Sequence, residues 1–135
     1  PIIGTTGLKP HEIEDLQHLA KSKNLGGIIA PNFSIACILL MKFSQQAARY
    51  FSYVELIESH HEMKKDAPSG TAIKTAKLIA QTRKSVPNEP TEQYLAEGAR
   101  GGISEQIHIH SIRMPGFIAK QEVIFGQTGE TLTLT

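Results

Sequence analysis

The stretch from Val54 to Ala72, V-E-L-I-E-S-H-H-E-M-K-K-D-A-P-S-G-T-A, constrains the fold more than any other part of the chain. Val54, Leu56 and Glu58 fall on one side of an alternating run, and Glu55 and Ile57 fall on the other, which is the period of a β-strand. The run ends in two adjacent imidazoles, His60 and His61, followed by Lys64 and Asp66. Pro68-Ser69-Gly70-Thr71 then reads as a turn, and a helix is expected from about Ala72. Titratable groups at a strand end suit proton transfer, and a glycine-containing turn at a helix start suits an anion.

The segment before this stretch has a different rhythm. Pro1 to Ile3 and Leu25 to Ala30 read as buried strands, with a helix between them from Pro10 to near Asn24 carrying Ile13, Leu16, Leu19 and Ala20 on one face. Strand, helix, strand is the unit of a parallel sheet, and ligands bind beyond the carboxyl ends of such strands. Gly4-Thr5-Thr6 and Ala30-Pro31-Asn32-Phe33 occupy those positions, as ligand contacts or as ordinary connections. Asn32 or Ser34 caps a helix running to about Tyr50, whose first half is apolar nearly all round and is expected to be buried.

After the central stretch the helix from Ala72 presents Ile73, Ala76, Ile79 and Ala80 on one face. Ser85 to Ser104, with Arg100 in its second half, lacks periodicity and reads as a loop. Strands are expected at Glu105 to Arg113, Gln121 to Phe125 and Thr131 to Thr135, with turns at Met114-Pro115-Gly116 and Gln127 to Glu130. Strands in succession without helices favour an antiparallel or mixed sheet after residue 52. The fold class is therefore α/β (α+β): a mixed, largely open sheet with helices on one face, behind a strand-helix-strand segment. The boundary is expected between 1–33 and 34–135. The chain begins inside one expected strand and ends inside another, as a piece of a longer protein would.

A formal net charge of +1 over 135 residues gives no reason to expect nucleic-acid or membrane binding through bulk charge. The longest apolar run, Ile35 to Met41, is too short to cross a bilayer. Cys37, the only cysteine, sits in that run and is expected to be a buried core thiol. A cytoplasmic enzyme or binding domain fits these features.

His60 or His61 suits general acid work, and Lys64 offers a positive charge for a carboxylate. The alternative is a solvated loop. Ser69-Gly70-Thr71 places unpartnered amides and two hydroxyls at a helix start, for capping, anion binding or both. An acyl-transfer H-H-x-x-x-D-G motif fails on register, because Lys65, Asp66 and Ala67 occupy its last positions. His108 and His110 alternate on one strand face, but no metal-ligand signature accompanies them, so no metal is expected.

The central stretch resembles the dihydrodipicolinate reductase family, whose signature is E-x-H-H-x-x-K-x-D-x-P-S-G-T-A. Glu58, His60, His61, Lys64, Asp66, Pro68, Ser69, Gly70, Thr71 and Ala72 match it without gaps. G-T-T-G at Gly4, A-P-N-F-S at Ala30, H-S-I-R-M-P-G at His110 and Q-E-V-I-F-G at Gln121 extend the resemblance over nearly the whole chain. Ala36-Cys37 departs from a more usual glycine-containing pair.

The resemblance implies a Rossmann remnant at 1–33 and a substrate-binding and oligomerisation domain at 34–135. It implies reduction of a cyclic unsaturated dicarboxylate with NADPH or NADH in lysine and diaminopimelate biosynthesis, by a homotetramer built through the sheet. By the motif, His60 is the general acid and Lys64 a second proton donor or charge partner. His61, Ser69, Gly70 and Thr71 form the substrate carboxylate site. Gly4, Thr5, Thr6, Ala30, Pro31, Asn32 and Phe33 touch the cofactor on its nicotinamide side. The family's glycine-rich dinucleotide fingerprint is not among these 135 residues. Alone, the chain is expected to be inactive, and the alternative reading is a non-catalytic, oligomerising dicarboxylate-binding module.

Overall fold

The computed structural model describes residues 1–5, 8–30, 32–85 and 93–135. They form two compact units, Pro1–Ile38 and Leu39–Thr135. The division between these units falls within a helix.

In the first unit, β1 (Ile2–Ile3) and β2 (Ile28–Ile29) pair in parallel on either side of α1 (Pro10–Ser22). The helix start is tied by Glu12, whose Oε2 accepts from the Lys9 amide at 2.6 Å. Its end is a Schellman motif: Asn24 takes φ 52°, Asn24 N donates to Lys21 O at 3.2 Å, and Leu25 N donates to Ala20 O at 2.9 Å. The expectation of buried strands is corrected here. Ile3 and Ile29 are half-buried, but Ile2, Leu25 and Ile28 are exposed, as is Leu19 of α1. A two-stranded sheet packed on one face leaves its other face open within the unit.

The chain continues through α2 (Ile35–Ala47), β3 (Tyr53–His60), α3 (Gly70–Ala80), β4 (Gly102–Ser104), β5 (Ile107–Arg113), β6 (Ala119–Gln127) and β7 (Glu130–Leu134). Ser34 caps α2 by accepting from Cys37 N at 3.3 Å, and Asn32 Oδ1 accepts from Ser34 N at 2.7 Å, so both expected capping residues take part. The burial expected along α2 is reversed. Ile35, Ile38, Leu39 and Phe43 are exposed, whereas Ser44 and Ala47 are buried, because the second half of the helix is the part that joins the core. Cys37 is half-buried, and burial still pushes its thiol pKa up.

The five-stranded sheet has the order β4-β5-β3-β6-β7, with β3 parallel to β5 and the other pairs antiparallel. This is the mixed sheet expected from the sequence. The register places Val54 and Leu56 of β3 beside Ile107 and Ile109 of β5 and Val123 and Phe125 of β6 on one face. That face forms the core with Ala72, Ala76 and Ile79 of α3 and with Ala47 and Ala48. Burial of each large member contributes about 1.5–3 kcal/mol. Tyr53, Glu55, Ile103, His108, His110 and Ile112 lie on the opposite face.

The described part of the expected loop 85–104 ends in a strand, β4, and β5 begins two residues later than expected. Glu105 and Gln106 (φ 55° and 58°) turn the chain between β4 and β5. Both are left-handed without being glycine or asparagine, so the hairpin carries no usual turn signal. Gly101 is required beside it: a Cβ there would stand 2.4 Å from Ile109 O.

Candidate functional site

β3 ends at His60, and the alternation along it puts Glu58 on the same face as His60. Glu58 is fully buried. A buried carboxylate needs hydrogen bonds on both oxygens, and here it has them. Oε1 accepts from Arg113 Nη2 at 2.7 Å and from Ser69 N at 3.3 Å. Oε2 accepts from Arg113 Nη1 at 3.0 Å and lies 2.5 Å from His60 Nδ1. Burial alone would raise the Glu58 pKa, but the bonds with Arg113, Ser111 and His60 outweigh it and hold the carboxyl below the ordinary range. Arg113 is available because β5 runs parallel to β3 with His60 opposite Arg113.

The segment after β3 is bound to the same group. Arg113 Nη2 also donates to Asp66 O at 2.7 Å. The Asp66 carboxylate pairs with Lys64 Nζ at 2.8 and 3.0 Å, and that bond holds the Asp66 pKa down. Ser69 is the buried N-cap of α3, its Oγ accepting from Ala72 N at 3.2 Å. Gly70 and Thr71 form the first turn, where helix amides face outward without intrahelical acceptors. Thr71 O accepts from Thr75 Oγ1 at 2.9 Å, and Thr75 Oγ1 accepts from Gln121 Nε2 at 2.8 Å, so the helix start is also tied to β6. α3 thus begins two residues before the expected Ala72.

Of the site residues expected from the sequence, His60, Lys64 and Ser69 are joined in one network through Glu58, Arg113 and Asp66. Gly70 and Thr71 follow in the first turn of α3, and His61 lies exposed just past the strand. The network combines a proton-bearing ring, a lysine and a helix start, which is a set able to hold carboxylates and deliver a proton.

In the first unit, Gly4 and Thr5 follow β1 and Ala30 follows β2, with Ala30 N donating to Ile3 O at 2.8 Å. The Phe33 ring packs on Gly4 so closely that a Cβ there would lie 2.8 Å from it. Gly4 and Thr5 after β1, and Ala30, Asn32 and Phe33 after β2, thus follow the carboxyl ends of two parallel strands, the end at which open α/β sheets bind ligands. Thr6 and Pro31 lie outside the described residues.

The roles of Glu58 and Arg113 are missed by reading the sequence. Glu58 had a signal, a carboxylate two residues before an imidazole on one strand face. Arg113 had only its place in H-S-I-R-M-P-G, which gives it no role, since its pairing depends on the parallel register. Arg100 also finds its place: it donates to Glu55, which lies 2.5 Å from His110 Nε2 on the sheet face opposite the core. Burial would raise the Glu55 carboxyl, but the bonds to His110 and Arg100 hold it below its ordinary range. Among the described residues, no helix is long and apolar enough to cross a membrane.

Residues 36–135 match the family model described as "Dihydrodipicolinate reductase, C-terminus". The 4-hydroxy-tetrahydrodipicolinate reductase of Streptococcus suis (strain 05ZYH33) is 56% identical over 135 residues, covering 99% of this chain and 53% of the relative. That of Geobacillus kaustophilus is 55% identical, covering 99% and 51%, and that of Legionella pneumophila (strain Lens) is 53% identical, covering 100% and 56%. The dipicolinate-bound dihydrodipicolinate reductase from Paenisporosarcina sp. TG-14 superposes with a TM-score of 0.80 at 50% identity, over 99% of this chain and 51% of that one. The chain spans about half the length of the curated relatives it matches.

Proposed function

The chain belongs to the dihydrodipicolinate reductase family, and on that premise we propose that it carries the substrate side of an NAD(P)H-dependent reduction of a cyclic unsaturated dicarboxylate in lysine and diaminopimelate biosynthesis. The observation that carries the reading is the His60–Glu58–Arg113 network, which runs on to Ser69 at the start of α3 and to Lys64. His60 supplies a proton to the ring. Lys64 exchanges its bond with Asp66 for one with a substrate carboxylate. The amides of the first turn of α3, together with the Ser69 and Thr71 hydroxyls and His61, receive a carboxylate.

Gly4, Thr5, Thr6, Ala30, Pro31, Asn32 and Phe33 are the residues proposed to hold the nicotinamide end of the cofactor. The close Gly4–Phe33 packing fits a flat ring, whereas a pyrophosphate needs the glycine-rich fingerprint. When bound, the nicotinamide supplies the hydride. The proposal includes a cytoplasmic setting and a homotetramer assembled through the sheet face that carries exposed Tyr53, Ile103 and Ile112. The proposed division of labour is 1–33 for the nucleotide and 34–135 for substrate and assembly.

The test is His60→Ala in the full-length protein. Loss of a general acid lowers kcat by about 10²–10⁴-fold with a smaller change in KM. An unchanged kcat removes His60 from the role. A second reading, a dicarboxylate-binding module without catalysis, applies to the chain on its own, and it predicts ligand binding without turnover.

A further inference from the structure

Resting on the reading above, we propose that Glu58 is the positioning residue that fixes His60 as its Nδ1–H tautomer, making Nε2 the atom that delivers the proton, and that Arg113 holds Glu58 to this task. An ionised carboxylate has no proton to donate, so its neighbour must be the donor. Glu58 is buried against Arg113 and Ser69 N, an environment that favours the ionised form. The 2.5 Å contact with His60 Nδ1 is therefore an N–H donated by the imidazole. Nε2, on the other side of the ring, makes no hydrogen bond among the described residues.

The geometry separates this role from that of a simple buried ion pair. Arg113 reaches both Glu58 oxygens, and one of them is shared with His60, whose side chain is 18% exposed. The ring is thus held at its inner nitrogen and open at its outer edge. In the step itself the Nε2–H bond of the imidazolium breaks and its proton goes to the substrate. The Nδ1 proton stays on the ring, facing Glu58, and solvent restores the proton at Nε2. No oxidant or reductant beyond the nicotinamide of the parent reading is needed.

Glu58→Gln inverts the arrangement. Oε1 meets two donors, Arg113 Nη2 and Ser69 N, so the amide oxygen takes that position and the amide NH₂ takes the place of Oε2, facing His60 Nδ1, while Arg113 Nη1 keeps only Ile112 O. Nδ1 must then accept, and the proton of neutral His60 moves to Nε2.

The experiment has two arms on the full-length protein. Long-range ¹H–¹⁵N spectra of the wild type, with His60 assigned by its absence in His60→Gln, are expected to show neutral His60 protonated at Nδ1. Protonation at Nε2 overturns the proposal, and this arm requires no change at Glu58. In the second arm Glu58→Gln lowers kcat about 100-fold, the low end for a general acid, while KM changes less than about threefold and Glu58→Asp recovers part of the loss. A kcat within about twofold of wild type in Glu58→Gln also overturns it. An unchanged kcat in His60→Gln would instead sink the parent reading, and the wild-type tautomer would still decide the role of Glu58.

Discussion

Arg113 Nη2 lies 2.7 Å from Glu58 Oε1, and Glu58 has no solvent-exposed surface while the Arg113 side chain keeps 17% of its own. The pair joins β5 to β3 at the strand end where His60 sits, and through Asp66 O it also holds the following loop. Removing one partner would leave a buried charge without its counter-ion. Arg113→Met is therefore expected to lose about 3–5 kcal/mol of stability, measured by urea unfolding. A loss below about 1 kcal/mol would show that the pair is not the clamp described.

Glu58 also sets a pH dependence. Its folded pKa lies below the unfolded value of about 4.3, so its contribution is present above that pH and is lost as pH falls through the folded pKa. Unfolding free energies measured from pH 7 down to 3 should drop in the wild type below about pH 4.3. In Glu58→Gln the drop should be shallower, starting from a lower stability at neutral pH. Parallel curves would contradict the assignment.

Lys64 is the cation nearest the surface in the network, 22% exposed against 58% for Asp66. Such an exposed pair contributes little to stability, within about 1 kcal/mol. A charge-assisted bond to a ligand carboxylate contributes about 1.5–3 kcal/mol. Lys64→Ala should therefore melt almost normally but bind a dicarboxylate about tenfold or more weakly, with the difference shrinking at high salt. Unaltered affinity would exclude Lys64 from the site.

The start of α3 can be dissected in the same way. Ser69→Ala removes the acceptor for Ala72 N and should cost about 1 kcal/mol in thermal unfolding. Thr71→Pro lies in the first turn, where proline is tolerated, but it deletes an amide donor. It should weaken dicarboxylate binding with a smaller stability change than Ser69→Ala. Full affinity in Thr71→Pro would argue against carboxylate capture by these amides.

The strand at β3, the cap at Ser69 and the mixed sheet were legible because alternation, capping chemistry and strand succession are local signals. The placement of β4 was not, since three residues including a glycine give no period, and Glu105-Gln106 turns without the usual residues. Nor could periodicity say that the apolar first half of α2 is exposed: an apolar surface announces that something covers it, not whether the cover lies within the same unit. His60 and Lys64 were visible as chemistry-bearing types at a strand end. The Arg113 contact was invisible, because it arises from a parallel pairing across 55 residues of chain.

The proposed dicarboxylate site is built from Lys64, His61 and the start of α3. Titration calorimetry of the 135-residue chain with pyridine-2,6-dicarboxylate at low salt tests it most directly. Weak, saturable binding that fades with added salt and with Lys64→Ala is expected, with negligible binding of NADPH in the same cell. No dicarboxylate binding at millimolar ligand and low salt, or NADPH binding tighter than that of the dicarboxylate, would contradict it.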